Sequence, residues 1–198
     1  RDQRWVDSHR GEVDRALQLL QVGLHELASY LSLNNCLVVA AVGNDSLAAV
    51  ERQRPRMDAR LPARFETVLG VAATTGDPSQ AAPYSNLGDA QELGDHVATF
   101  GGGVGPGLQP DDGVIGVYSG EFPLERPNET GWAFWSGTSF ATAIVSGIAS
   151  NLWARQRQER PDAHAAEILA EVHALAREHG AYVADLRTPS IRVTGRWS

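Results

Sequence analysis

The sequence predicts an α/β domain built on a mostly parallel central sheet, and three observations carry that prediction. A long amphipathic period runs straight into the unbroken apolar stretch Cys36-Leu37-Val38-Val39-Ala40-Ala41-Val42. A second apolar stretch, Thr67-Val68-Leu69-Gly70-Val71-Ala72-Ala73, follows a polar interval. Two more helical periods lie toward the end of the chain. Short β-branched runs with no polar alternation suit strands covered on both faces, as parallel strands are.

The first period starts at Glu12 and places Val13, Ala16, Leu17, Leu20, Leu24, Leu27, Ala28 and Leu31 on one face, predicting a helix packed by that face and ending near Asn34-Asn35. Leu47 to Arg64 is polar and arginine-rich, which predicts a surface loop. Gly76 to Gly131 is dense in Gly, Pro, Asp and Asn and predicts loops with small strands such as Val114-Ile115-Gly116-Val117-Tyr118. Phe140 to Ala154 is apolar on almost every side and carries no charge, so a central buried helix is expected there. Pro161-Asp162 then opens a last helix with Ala165, Ile168, Leu169, Val172, Leu175 and Ala176 on one face and Gly180 placed to stop it.

Composition removes several functions. The 198 residues carry a formal net charge of -7, the opposite of what a phosphate backbone attracts, so no nucleic-acid partner is expected. All 17 basic residues are arginine, which leaves no Schiff-base lysine, no Ser-Lys dyad and no Walker-type phosphate loop. Cys36 is the one cysteine, so neither an internal disulfide nor a cysteine zinc site can form. No stretch is long and apolar enough for a membrane span, and Arg1-Asp2-Gln3-Arg4 has none of the apolar core of a signal peptide.

Two short motifs carry chemistry. In Gly137-Thr138-Ser139-Phe140-Ala141, a serine sits at the mouth of the small-residue helix, among unpaired N–H groups and the positive end of the helix dipole, where negative charge developing in acyl transfer is stabilised. Taken alone, Ser139 serves equally well as a helix cap. Gly43-Asn44 follows the first strand at its C-terminal end, where open α/β sheets bind ligands, and the asparagine amide can donate to an oxyanion. Alone it is simply a turn.

Together these blocks resemble the subtilisin-like serine proteases. Val38-Val39-Ala40-Ala41-Val42-Gly43-Asn44 is similar to the family's strand ending at its oxyanion asparagine. Pro62-Ala63-Arg64 with Val68 to Ala73 resembles its Pro-Ala-Arg loop and next core strand. Tyr84-Ser85-Asn86-Leu87-Gly88 resembles its Phe/Tyr-Ser-Asn-x-Gly turn, and Gly137 to Ala141 its nucleophile motif, continued by Val145-Ser146-Gly147. The blocks fall in family order from about Glu12 to Gly180. The resemblance implies a subtilisin-like three-layer α/β fold in which residues 1–198 are the C-terminal portion of a single peptidase domain, its N-terminal part missing. It also implies a serine endopeptidase with Ser139 as nucleophile, Asn44 and the Ser139 N–H as oxyanion donors, and Thr138 in support.

The departures are specific. Ala143 and Ile144 stand where the family usually has proline and often histidine, and Val97 to Gly103 echoes the Ala-Pro-Gly block only loosely. The family's Asp and His motifs precede everything seen here. None of His9, His25, His96, His164, His173 and His179 is followed by Gly-Thr, and Asp7-Ser8-His9 lacks both contexts. A serine without a general base is a poor nucleophile, so the chain alone is expected to be inactive, with polypeptide as substrate and an N-terminal companion segment supplying Asp and His.

The resemblance requires no cofactor. Calcium, which many relatives bind, has no placed site: Asp89 to Asp95 and Asp111-Asp112-Gly113 offer oxygens without a defining spacing, so no metal ligand set is assigned. Gly101 to Gly107 reads as a flexible loop rather than a dinucleotide loop, since Pro106 opposes a following helix. The rival from another class is a non-catalytic pseudoprotease or interaction subunit of the same fold, motivated by the missing residues and Ala143. A nucleotide-binding α/β domain is the third reading.

Overall fold

The computed structural model of the chain describes residues 9–86, 96–103, 112–122 and 127–193. A five-stranded sheet has the order β1-β2-β3-β7-β6, with β1 Val38–Ala41, β2 Val68–Thr74, β3 His96–Phe100, β6 Tyr182–Val183 and β7 Thr188–Ile191. β1, β2, β3 and β7 are parallel, and β6 alone runs antiparallel, against β7. The second strand is buried at every position, as its unbroken apolar run requires.

Two layers of helix cover this sheet. Leu69, Val71, Ala73 and Val97 face α3 (Thr138–Glu159) and α4 (Ala165–His179), where they pack with Ala141, Val145, Ala149, Ile168 and Val172. On the alternate face Val38, Ala40 and Val68 meet Ala28 and Leu24 of α1 (Arg10–Leu33) and the ring of Phe65. The strand period of two therefore sorts successive side chains into two separate cores. The expected α/β architecture with a mostly parallel sheet in three layers is the one observed.

Some expectations change. The arginine-rich interval after Asn44 holds a short helix, α2 (Leu47–Glu51), and its Arg56 is not a surface residue. The Arg56 side chain is 8% exposed; Nη1 donates to the carbonyls of Ala82, Pro83 and Ser85 at 2.9, 3.3 and 2.9 Å, and Nη2 lies 3.7 Å from Asp185. Burial lowers its pKa, against the raising influence of Asp185. The fork of the guanidinium, rather than an apolar side chain, ties this loop to the turn before Asn86.

The apolar face of α1 is covered only toward its C-terminal half: Ala28 is buried, whereas Leu17, Leu20 and Leu27 are more than half exposed. Likewise α3 buries one stripe, Thr138, Ala141, Val145, Ala149 and Leu152, and its other sides are half-buried or open, so it is not enclosed all round as expected. The helix α4 begins at Ala165, after His164, rather than at Pro161. Gly180 does follow it, but with extended backbone, and a methyl there would overlap the Ser190 carbonyl of β7. Close approach of two backbones, not a left-handed cap, explains that glycine.

The Gly76–Gly131 interval contains β3, whose partner β7 had no strand signal in the sequence, and β4 (Val114–Val117), which pairs antiparallel with β5 (Trp132–Trp135). β5 leads directly into α3, so this hairpin hangs beside the start of that helix. No helix among the described residues is long and apolar enough to cross a membrane.

Candidate active site

Parallel strands bring their C-terminal ends to one edge of the sheet, and there the sequence motifs meet. β1 ends at Ala41; Val42 after it is fully buried, and the chain turns at Gly43 with φ 106°. An L side chain is strained at that angle, and an added Cβ would stand 2.6 Å from Asn86 Nδ2 and 2.8 Å from Arg60 Cγ. Glycine is thus required twice over. The turn delivers Asn44 to the surface at the end of the strand.

Asn86 holds that turn from beneath. Its side chain is fully buried and satisfied on both ends: Oδ1 accepts from Asp45 N at 2.9 Å and Ser46 Oγ at 3.0 Å, and Nδ2 donates to Asp45 Oδ2 at 3.0 Å and Asp58 O at 3.1 Å. Its backbone N–H donates to Gly43 O at 3.0 Å. In the sequence Asn86 stands only as part of a turn motif; the Ser-Asn pair after a tyrosine is its signal, and spacing alone does not convert that into these bonds.

The second arm comes from β3 and β5. Gly137 N donates to Gly101 O at 2.8 Å, and the Tyr84 hydroxyl lies 2.7 Å from both Gly101 O and Gly102 O, able to donate to one at a time. Burial pushes the Tyr84 phenol well above its ordinary pKa, so it stays a donor. The Trp135 ring tilts against Phe140, centroids 6.2 Å apart. These contacts fix where α3 begins.

At that point Asn44, Thr138 and Ser139 come together. Thr138 N and Thr138 Oγ1 both donate to Asn44 Oδ1, each at 2.9 Å, and Gly43 N donates to Thr138 Oγ1 at 3.3 Å. With Oδ1 doubly held, the amide cannot flip without losing both bonds, and its Nδ2 end lies beside Gly137, 3.2 Å from where a Cβ would stand there. Neither Asn44 Nδ2 nor Ser139 Oγ has a hydrogen-bond partner among the described residues. Ser139 is exposed and occupies the first turn of α3, where backbone N–H groups have no intrahelical acceptor.

The histidines lie elsewhere. His96 begins β3 and its Nε2 contacts Ala63 O at 3.1 Å, roughly 16 Å along the strand from Gly101. His25 packs edge-on to Phe65, His9 precedes α1, and His164, His173 and His179 belong to α4 or its cap. None is bonded to Ser139. Next to Asn44, Asp45 Oδ2 accepts from Arg60 Nε at 2.8 Å, and that guanidinium, with Asn86 second, holds the Asp45 carboxyl below its usual pKa. Sequence reading missed this pair, since neither residue belongs to a motif. Among the described residues no cluster of three potential metal ligands occurs; Asp89 to Asp95 and Asp111 lie outside them.

Solved structures similar to this one include proteases. A lanthipeptide protease superposes with a TM-score of 0.66 at 21% identity, over 90% of this chain and 54% of that one. A protease of Pseudoalteromonas arctica gives 0.57 at 24% identity, over 85% and 44%, and the self-cleaved protease domain of PatA gives 0.56 at 24%, over 84% and 50%. At such identities the likeness is one of fold, and the chain spans about half the length of these structures. No curated protein matches the sequence. The sequence profile of the subtilase family, however, matches residues 7–182, nearly the whole chain, and the chain therefore belongs to the subtilase family.

Proposed function

We propose that this chain supplies the nucleophile and oxyanion donors of a serine endopeptidase. The observation that carries the reading is the double hydrogen bond from Thr138 to Asn44 Oδ1, which holds the Nδ2 donor, unpaired among the described residues, beside the helix mouth that carries Ser139. Ser139 Oγ attacks the scissile carbonyl, and the tetrahedral oxygen accepts from Asn44 Nδ2 and the Ser139 N–H. The hydroxyl proton passes to a histidine of an N-terminal companion segment, itself oriented by an aspartate, and then to the leaving amine. Water releases the acyl group from Ser139. No cofactor enters any step.

A fluorophosphonate probe applied to the native protein, with Ser139→Ala as control, tests this by peptide mass spectrometry. The expected result is an adduct at Ser139 that the control lacks. A folded sample left unlabelled, although the companion segment is present, would overturn the reading in favour of a non-catalytic subunit of the same fold.

A further inference from the structure

One charged pair borders the candidate site without any part in the chemistry just described. Arg60 lies across the turn that presents Asn44: its backbone N–H donates to Val42 O at 2.8 Å, its Cγ passes 2.8 Å from where a Gly43 Cβ would be, and its Nε reaches Asp45 Oδ2 at 2.8 Å. It therefore brackets Asn44 from the residue before to the residue after. The two side chains are 59% and 44% exposed, so both meet solvent at the sheet edge where substrate would lie.

The charges of this pair are not equally available. Asp45 Oδ2 is already shared between Arg60 Nε and Asn86 Nδ2, bonds that hold the turn together. Arg60 spends only Nε on the pair. Its Nη1 and Nη2 have no partner among the described residues, and Nε–Asp45 fixes the direction in which that fork opens. A guanidinium held at one nitrogen and open at two presents a planar site for a carboxylate.

We propose that Arg60 is a specificity-determining residue that favours an acidic side chain, Glu or Asp, on the substrate residue whose carbonyl is attacked. This rests on the reading of Asn44 as oxyanion donor: if the attacked carbonyl binds at Asn44, the nearest substrate side chain is the one on the same residue, next to the turn that Arg60 spans from Val42 to Asp45. The local positive charge opposes the overall net charge of -7, which by itself disfavours acidic peptides.

The test uses the protein that carries this chain together with its general base. Fluorogenic peptides differ only at the residue before the cleaved bond, carrying Glu, Gln, Leu or Arg. A charge-assisted contact at a half-exposed site predicts kcat/KM about tenfold higher for Glu than for its isostere Gln, shrinking as salt is raised. In Arg60→Gln the Glu-to-Gln ratio falls to about one. In Asp45→Asn, where the amide oxygen can still accept from Arg60 Nε but the negative charge is gone, the preference for Glu is retained or rises. A wild-type ratio at or below one, a ratio unchanged in Arg60→Gln, or a preference for Arg that Asp45→Asn abolishes would each overturn the proposal.

Labelling of Ser139 by the fluorophosphonate separates this result from failure of the catalytic reading. If Ser139 does not label, calorimetric titration with acetylated peptide amides ending in Glu or Gln reads the same preference as binding: tighter binding of the Glu peptide that Arg60→Gln removes supports the site, and equal binding overturns it.

Discussion

Thr138 gives Asn44 two hydrogen bonds to a single oxygen, one from its backbone and one from its hydroxyl, each 2.9 Å long. The backbone bond persists in any variant, but the hydroxyl also accepts from Gly43 N, so it links the end of β1 to the start of α3. Replacing it by a methyl, Thr138→Val, keeps the volume and removes both links. The expected outcome is a fall in kcat of about tenfold with KM little changed, since Asn44, the proposed oxyanion donor, is loosened rather than lost. Asn44→Ala, which deletes the donor, is expected to cost about 100- to 1000-fold. Steady-state kinetics of the assembled protease, read beside the rate of fluorophosphonate labelling, orders the two variants; equal losses would remove the positioning role from Thr138.

Asn86 makes the opposite kind of contribution. It lies beneath the turn in a fully buried site, where three hydrogen bonds of its side chain go to Asp45 and Ser46 and a fourth to Asp58 O. Asn86→Leu leaves the buried donors and acceptors unpaired and is expected to destabilise the fold by about 2–4 kcal/mol. Denaturant unfolding followed by circular dichroism measures it. A loss below about 1 kcal/mol would mean that water replaces the amide.

The contrast between Asn86 and Asn44 shows what the sequence made legible. The sheet core was readable because Val68 to Ala73 is apolar throughout, as suits a strand covered on both sides, and β2 is buried at every position; Val38 to Ala41 has the same apolar pattern but forms a strand that is only half-buried. Asn44, Thr138 and Ser139 were readable because each lies in a short motif at an element boundary. Their proximity was not, since hydrogen bonds such as Thr138 to Asn44 close across β2, β3 and the β4–β5 hairpin. Arg56 and the Asp45–Arg60 pair escaped for a related reason. Charge in a polar stretch reads as solvent-facing, and only the packed structure shows Arg56 donating to three carbonyls of a distant turn. The strand β7, Thr188–Ile191, was missed because Pro189 and Ser190 lack the apolar run that marks the other parallel strands.

The Asp45–Arg60 pair carries a pH signature. The Asp45 carboxyl is held below its ordinary value, first by the Arg60 hydrogen bond. A depressed carboxyl pKa means that the unfolded chain binds the proton more readily, so the stabilisation is fully present above about pH 4, the ordinary carboxylate value, and is lost as pH falls through the lower, folded value. The melting temperature of Asp45→Asn should therefore lie below that of the wild type at pH 7 and converge with it toward pH 2. The group is largely exposed, so the gap should be small and should narrow in high salt. A difference independent of pH would assign the effect to Asn86 Nδ2, not to charge.

Gly70 and His96 are register partners across the β2–β3 pair, and the imidazole occupies the space that a side chain at Gly70 would need. An added Cβ at Gly70 would overlap the imidazole edge, 2.6 Å from His96 Nε2, and would stand 3.0 Å from Ala63 O, the acceptor that ring contacts. Both partners lie in a buried sheet and the obstacle includes backbone, so neither can simply swing away. Gly70→Ala is expected to cost about 1–3 kcal/mol as an overpacking change. His96→Ala alone opens a cavity and loses the contact with Ala63 O, so it too destabilises. Combined, the methyl fills space that the ring vacated, and the double variant should be less unstable than the sum of the singles by at least 0.5 kcal/mol. Thermal or denaturant unfolding of the four proteins closes this cycle, and strict additivity would mean that the strands shift apart to admit the methyl without meeting the ring.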